Sequence, residues 1–176
     1  MEFKAFNFEL ATLEGQWRNS FWQMVNEETA NDVATTENRI LSKTCGCYIF
    51  TIRNGRNHMP WYVGKAETQS FSRRFQSQDH GRLLNDLSEN YHGRLVILLL
   101  PALTPGGKFR MPQSTQAIRE LETMFIGMAL KKNPDLLNVQ GAALLRDMYV
   151  PGVINPCQGD GAAGSVQALR SALDLT

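Results

Sequence analysis

The chain has 176 residues, 43% of them hydrophobic and 20% charged, which is typical of one globular domain with an appendage and excludes a disordered protein. The longest apolar stretch, 95–103, is interrupted by Pro101 and is far shorter than the ~20 residues of a membrane span. Charged and polar side chains interrupt the first ten positions, where a signal peptide has its apolar core, so we expect a cytoplasmic protein.

Net charge is only +1, but its distribution along the chain is uneven. Residues 1–38 carry two basic and seven acidic groups, a net charge of −5. Residues 39–110 carry eleven basic and four acidic groups, a net charge of +7. Residues 111–176 carry five basic and six acidic groups, a net charge of −1. The basic middle segment could present a face that attracts phosphate. Composition is equally consistent with an acidic flank that folds over this segment and neutralises it.

The three cysteines, Cys45, Cys47 and Cys157, are an odd number and do not indicate a disulfide framework. Cys45 and Cys47 have C-x-C spacing, but no second cysteine pair follows and the three histidines are scattered. We therefore expect free thiols rather than a structural zinc site.

The first forty-five residues read as a helical extension. An extended piece is expected at 6–10 and an amphipathic helix at 14–26, where Trp17 and Phe21 share one face and should pack in the core. A polar stretch, 31–38, separates this extension from the rest.

Two strands should follow as an antiparallel pair. Residues 47–52 are rich in β-branched and aromatic side chains, and 61–64 form the second strand. Asn54-Gly55 signals a turn, and we expect a loop that continues through Pro60 rather than a tight hairpin.

Helices alternate with one more strand in the remainder. The pattern predicts a helix at 70–78, a helical turn at 82–87 after Gly81, and a buried central strand at 94–100. A long helix is expected at 113–132, with Ser114 as N-cap and Pro134 as its stop. We expect residues 139–164 to be irregular and 165–175 to form a short helix. The order β-β-α-β-α predicts a small α+β domain.

Four local features carry candidate chemistry. Gly46-Cys47-Tyr48 opens one strand and Tyr62-Val63-Gly64-Lys65 ends its neighbour, so the two tyrosines can meet on one face of the sheet. A phenol, an open backbone turn and a cation at one strand end suit phosphate chemistry. The adjacent pair Arg73-Arg74 offers a guanidinium fork for phosphate oxygens, although two adjacent arginines are more often a solvated surface pair.

The fourth feature is Glu122, which lies on the apolar side of the predicted long helix beside Ile118, Phe125 and Ile126. A carboxylate there is costly unless a cation satisfies it, and either a metal ion or an arginine would do so. Glu120 faces polar neighbours and reads as an ordinary solvated residue.

The order of these motifs resembles the GIY-YIG nuclease superfamily over about residues 46–138. The resemblance implies a three-stranded antiparallel sheet flanked by helices, and metal-dependent hydrolysis of phosphodiesters. It also implies that Glu122 is the single protein ligand of one Mg²⁺ or Mn²⁺ ion and that Arg74 stabilises the phosphate. Tyr62 would be the general base, helped by Tyr48 and Lys65, while Gly46, Gly64 and Asn138 would have structural roles.

Some positions depart from the family pattern. Two extra residues lie between Gly64 and Arg74, so Arg73 remains an alternative for the catalytic arginine. Where the family often has a histidine or tyrosine, one helical turn after the arginine, this chain has Gln78. His80 would take that role only if the helix ends or bends before it.

The substrate is less determined than the chemistry. Arg53, Arg56, Lys65, Arg73 and Arg82 are the basic side chains that we expect to contact nucleic acid. DNA is the favoured substrate because the domain is small and stands alone, and neither 1–45 nor 139–176 resembles a known sequence reader. Cutting both strands would favour a homodimer. The alternative functions are a nucleic-acid-binding module that does not cut and a protein-interaction module on the same scaffold.

Overall fold

A computed structural model describes residues 1–11, 13, 16–31, 40–138, 168, 171 and 172. Within these ranges one antiparallel sheet of five strands packs with four α-helices, which confirms the predicted α+β class. The strands are β1 (Glu2–Phe3), β2 (Phe6–Glu9), β3 (Gly46–Asn54), β4 (Asn57–Ala66) and β5 (Arg94–Leu103). The helices are α1 (Trp17–Glu28), α2 (Phe71–Phe75), α3 (Gln78–Asn90) and α4 (Gln116–Lys132).

The sheet is wider than the three strands that the sequence predicts. β3 lies in the centre between β4 and β5, and both N-terminal strands pair with the outer edge of β5. Phe6 lies opposite Leu99, and Glu2 lies opposite Leu103. Phe8 is buried among the core aromatics, so burial of apolar surface stabilises this added edge.

The β3–β4 connection is a tight hairpin and not the longer loop that the sequence suggests. Gly55, at φ 59°, and Arg56 form a two-residue turn between Asn54 and Asn57, and a glycine at the first turn position adopts this positive φ without strain. Pro60 lies within β4 because β4 is an edge strand and its register with β3 shifts between Phe50 and Thr51.

The outer edge of β4 is covered by the segment that follows α4. The Asn133 side chain donates to the Pro60 carbonyl (2.7 Å), and the Leu137 N–H donates to the Trp61 carbonyl (2.9 Å). Asn138 binds both backbone groups of Val63, accepting from its N–H (2.8 Å) and donating to its carbonyl (2.6 Å). These bonds satisfy an edge that would otherwise be open to pairing, so Asn138 holds the chain in place after the helix.

The sheet has helices on both faces. Tyr48, Phe50 and Ile52 point toward α1, α2 and α3 and join the largest buried cluster. Cys47 and Ile49, at the alternate positions of the strand, point to the other face, toward α4. Because of this alternation, Tyr48 lies on the face of the sheet that α2 and α3 cover. On the opposite face, the inner side of α4 packs beside Val63 and Lys65.

The helix boundaries differ from prediction: α1 runs from Trp17 to Glu28 rather than over 14–26. The expected helix 70–78 ends at Phe75, and a new helix starts at Gln78 and passes through Gly81 without a break. α4 begins after Thr115 rather than after Ser114, because the Ser114 hydroxyl donates to the Glu67 carboxylate (3.0 Å).

Several expectations fall on other parts of the chain. Three predicted features lie mostly or wholly outside the described residues: the polar stretch 31–38, Cys157 and the tail 139–176. Of the predicted C-terminal helix, only Ala168, Ser171 and Ala172 are described, and all three are exposed helical residues. Cys45 and Cys47 are free, buried thiols. In the described ranges, no helix combines the length and the apolar character needed to cross a membrane.

Candidate active site

A groove of about 850 Å³ runs along β4, between the start of α2 and the inner side of α4. Its lining residues are mostly polar or charged: Tyr62, Lys65, Glu67, Thr68, Gln69, Arg74, Arg119, Glu122, Thr123, Ile126, Leu137 and Asn138. Four of the predicted catalytic side chains, Tyr62, Lys65, Arg74 and Glu122, therefore meet in one concavity, although they come from three different elements.

Tyr48 lies directly behind the groove. Its ring centroid is 6.2 Å from that of Tyr62, and its side chain is fully buried. Gly64 lies opposite Tyr48 on β4, and a Cβ atom at that position would approach within 2.8 Å of the Tyr48 ring carbon Cε2. The glycine thus leaves the space that the phenol occupies. Burial, followed by the interaction with the neighbouring Tyr62, raises the pKa of Tyr48, so its hydroxyl keeps its proton at neutral pH.

The two adjacent arginines have different surroundings. Arg74 lines the groove, and its Nε donates to the Tyr48 hydroxyl oxygen (3.4 Å). Burial alone would lower the pKa of Arg74, but Tyr48 and Tyr62 beside it raise the pKa, which keeps the guanidinium charged. Arg73 is exposed and does not line the groove. The structure therefore places Arg74, and not Arg73, among the groove side chains.

His80 reaches the site because the chain bends before it. Ser77 has an extended backbone between α2 and α3, which turns α3 back over the sheet and buries His80 against Tyr48. The His80 Nε2 atom is hydrogen-bonded to the Tyr48 hydroxyl, and its Nδ1 lies 2.6 Å from the Ser77 hydroxyl oxygen. Burial, followed by the charge of Arg74, lowers the pKa of His80 to about 4, so the imidazole is neutral at pH 7.

Glu122 forms an ion pair with Lys65 across the groove. The Glu122 side chain is 18% exposed and that of Lys65 is 32% exposed, so the pair is accessible from the groove. The cation that satisfies this carboxylate on the apolar side of α4 is thus a lysine, a third possibility beside the metal ion and the arginine considered from sequence.

The divalent ion that the resemblance implies would need ligands from the groove residues. Among the described residues no group of three or more histidine, cysteine, aspartate and glutamate side chains is placed to hold a metal. A small hard cation such as Mg²⁺ requires less, because it keeps several waters and is often held by one or two carboxylates together with substrate phosphate. Glu122 offers one carboxylate that faces an open polar groove and already attracts a cation, so the donor set fits such an ion.

Two residues that line the groove, Glu67 and Arg119, were not predicted from the sequence. Glu67, just after β4, accepts hydrogen bonds from the Thr115 N–H (2.7 Å) and from Ser114, and forms an ion pair with Arg119. Burial opposes ionisation, but these donors lower the pKa of Glu67 below its ordinary value. Arg119 precedes Glu122 by three residues on α4, and this helical spacing is the signal that could have indicated it.

Four of the five expected nucleic-acid contacts lie outside the lining of the groove: Arg73, as described above, and Arg53, Arg56 and Arg82. Arg53 forms an ion pair with Glu9 (2.6 Å), five residues along β3 from Tyr48, or about 16 Å away. Arg56 lies in the hairpin turn, and Arg82 is on the exposed side of α3. Gly46 packs so closely on β5 that a Cβ atom there would come within 2.9 Å of the Leu100 carbonyl carbon.

Comparison of the chain with protein-family models, with curated proteins and with solved structures finds no match.

Proposed function

We propose that this protein is a metal-dependent endonuclease that hydrolyses phosphodiester bonds, with DNA as the preferred substrate. The observation that carries the proposal is the meeting of Tyr62, Lys65, Arg74 and Glu122 in one groove, with Tyr48 and His80 buried behind them. A phenol, two cations and a carboxylate in one concavity form a site suited to a charged phosphate.

Arg74 and Lys65 bind the phosphate in this proposal. The Arg74 guanidinium is positively charged and half-buried, and its bonds to the Tyr48 and Tyr62 side chains fix its position in the groove, where it can donate to phosphate oxygens. Such a fixed donor acts most strongly on charge that develops during displacement. Lys65, partly exposed at the groove, adds a second positive charge.

Tyr62 orients the attacking water and accepts its proton. It lines the groove, whereas Tyr48 is buried and keeps its own proton. A tyrosine accepts a proton only as the phenolate, a form that nearby positive charge favours, and Lys65 and Arg74 line the same groove. Tyr48 positions Arg74 from behind and takes no part in proton transfer.

Glu122 would hold one Mg²⁺ or Mn²⁺ ion, with water and substrate phosphate completing its coordination. When bound, that ion supplies Lewis-acid stabilisation of the phosphate and of the leaving group. The Lys65 ammonium, which pairs with Glu122 here, would contact the substrate phosphate instead.

A second function is favoured by one specific observation. Because Lys65 already neutralises Glu122, the site is electrostatically satisfied without a metal ion, as in a module that binds nucleic acid without cutting it. Arg74 and Arg119 would bind phosphates equally well in that case.

Cleavage assays separate the two functions. Purified protein is incubated with supercoiled plasmid and with labelled single-stranded DNA and RNA, each with Mg²⁺, Mn²⁺ or EDTA. The nuclease proposal predicts cleavage that requires the divalent ion. Binding of nucleic acid by gel shift, without cleavage of any substrate under any of these conditions, would favour the binding module.

A further inference from the structure

Two serines occupy equivalent positions at the starts of α2 and α3 but use their hydroxyl groups differently. Ser70 caps α2, because its Oγ accepts a hydrogen bond from the Arg73 N–H (3.3 Å). Ser77 has the same extended backbone at the start of α3 but makes no such capping bond. Its hydroxyl lies 2.6 Å from His80 Nδ1 instead. The Ser77 hydroxyl therefore binds the buried imidazole and does not stabilise the helix start, as an N-cap serine usually does.

The direction of the neighbouring hydrogen bonds follows from the chemistry of the donors. Arg74 Nε can only donate, so the Tyr48 oxygen accepts from it. The single phenolic proton of Tyr48 then points to its other partner, His80 Nε2. A neutral imidazole that accepts at Nε2 carries its proton at Nδ1, and it donates that proton to the Ser77 oxygen. All the bonds of this chain run in one direction.

We propose that Ser77 is a positioning residue of the site, which holds His80 in the Nδ1–H tautomer and thereby fixes the Tyr48 hydroxyl and the Arg74 guanidinium. Its catalytic consequence rests on the nuclease function proposed above. Ser77 does not line the groove, and its bond to Arg74 joins backbone groups only, from the Ser77 N–H to the Arg74 carbonyl (3.4 Å). Its hydroxyl is bonded to His80 and therefore acts through His80 and Tyr48.

Loss of the Ser77 hydroxyl would change this arrangement in a definite way. Nδ1 of the buried imidazole would lose its acceptor, which favours transfer of the ring proton to Nε2. Nε2–H and Arg74 Nε would then both donate to the Tyr48 oxygen, and the phenolic proton would turn away from His80. The hydrogen bond from Arg74, already long at 3.4 Å, would have to share its acceptor.

The tautomer can be measured directly by ¹⁵N NMR on the full chain. We expect a protonated, pyrrole-type Nδ1 and an unprotonated, pyridine-type Nε2 for His80 in the wild type. Ser77→Ala should shift the population toward Nε2–H, and Ser77→Thr, which keeps a hydroxyl, should preserve the wild-type signals. Ser70→Ala is the matched control: it removes a true helix cap and should leave the His80 tautomer unchanged.

Kinetics give the second readout. Ser77→Ala should lower kcat roughly tenfold or more with little change in KM, as loss of an outer orienting partner commonly does, and Ser77→Thr should restore most of it. A wild-type His80 protonated at Nε2, or an unchanged tautomer in Ser77→Ala, would overturn the proposal whatever the cleavage assay gives. If the wild type cuts no substrate but Ser77→Ala still alters the His80 tautomer, the result would support the positioning role of Ser77 and contradict the nuclease function.

Discussion

Lys65 of β4 and Glu122 of α4 form an ion pair across the groove, between residues 57 positions apart in sequence. The pair joins the end of the hairpin to the middle of the long helix. It also places the candidate metal ligand in contact with a competing cation. Substrate and metal would therefore have to separate Lys65 from Glu122 before the site is assembled.

Lys65→Gln should strengthen the binding of Mn²⁺ severalfold, because the lysine and the metal ion compete for one carboxylate. The free energy of unfolding should change by less than about 1 kcal/mol, since the pair is partly exposed. Titration calorimetry with Mn²⁺ and urea denaturation measure the two effects. Lys108→Gln, at an exposed position outside the groove lining, is the control. Weaker Mn²⁺ binding in Lys65→Gln would show that the lysine assists the metal instead of competing with it.

Arg74→Ala and Arg73→Ala should have sharply different effects. Arg74 lines the groove and is bonded to Tyr48, so its removal should lower kcat on the order of a hundredfold or more. Arg73 is exposed and should change kcat by less than about threefold. Single-turnover cleavage of one labelled substrate compares the two. Equal and mild losses would remove Arg74 from the catalytic site.

Gly64→Ala tests the space behind the groove. The added methyl group would overlap the Tyr48 ring, which is fully buried. We expect a loss of roughly 1–3 kcal/mol of folding stability together with a loss of cleavage. Gly106→Ala, at an open turn position with no atom near the new methyl group, should change neither. Full activity of Gly64→Ala would mean that the position of Tyr48 is not important.

His80 makes the stability of the fold dependent on pH. Its pKa in the folded protein, about 4, is lower than the ordinary 6.5, so the unfolded chain binds more protons between these values. The contribution of the neutral imidazole is fully present above about pH 6.5 and is lost as the pH falls through about 4, up to about 3 kcal/mol in total. Urea unfolding at pH 7.5, 6.5 and 5.5 should show a decline that is weaker in His80→Gln. Equal slopes in the two proteins would contradict this burial.

The sequence predicted those strands and helices whose structure follows from residues close together in the chain. The buried run of β5, the hairpin strands and α4 all follow from hydrophobic periodicity. The pairing of Phe6–Glu9 with β5 did not follow, because its partner lies about ninety residues away and no local signal specifies it. Pro60 misled the hairpin prediction, since a proline is acceptable in an edge strand at a register shift.

The site was partly predictable for similar reasons. Glu122 was recognisable as a carboxylate on an apolar helix face, but its pairing with Lys65 depends on how α4 packs on β4. Only the orientation of the short helix α2 shows that Arg74, and not Arg73, faces the groove. The role of Ser77 needed the bend between α2 and α3, which no composition rule indicates at this position.

Single-turnover cleavage by Glu122→Gln, beside Glu120→Gln, tests the central claim most directly. Both variants replace a glutamate of α4 with its isosteric amide, but Glu120 is exposed and bonded to Gln116 outside the groove lining. We predict that Glu122→Gln binds DNA and folds as the wild type does yet loses metal-dependent cleavage, while Glu120→Gln cuts normally. Cleavage by Glu122→Gln at the wild-type rate would show that Glu122 does not hold the metal ion and would contradict the proposed mechanism.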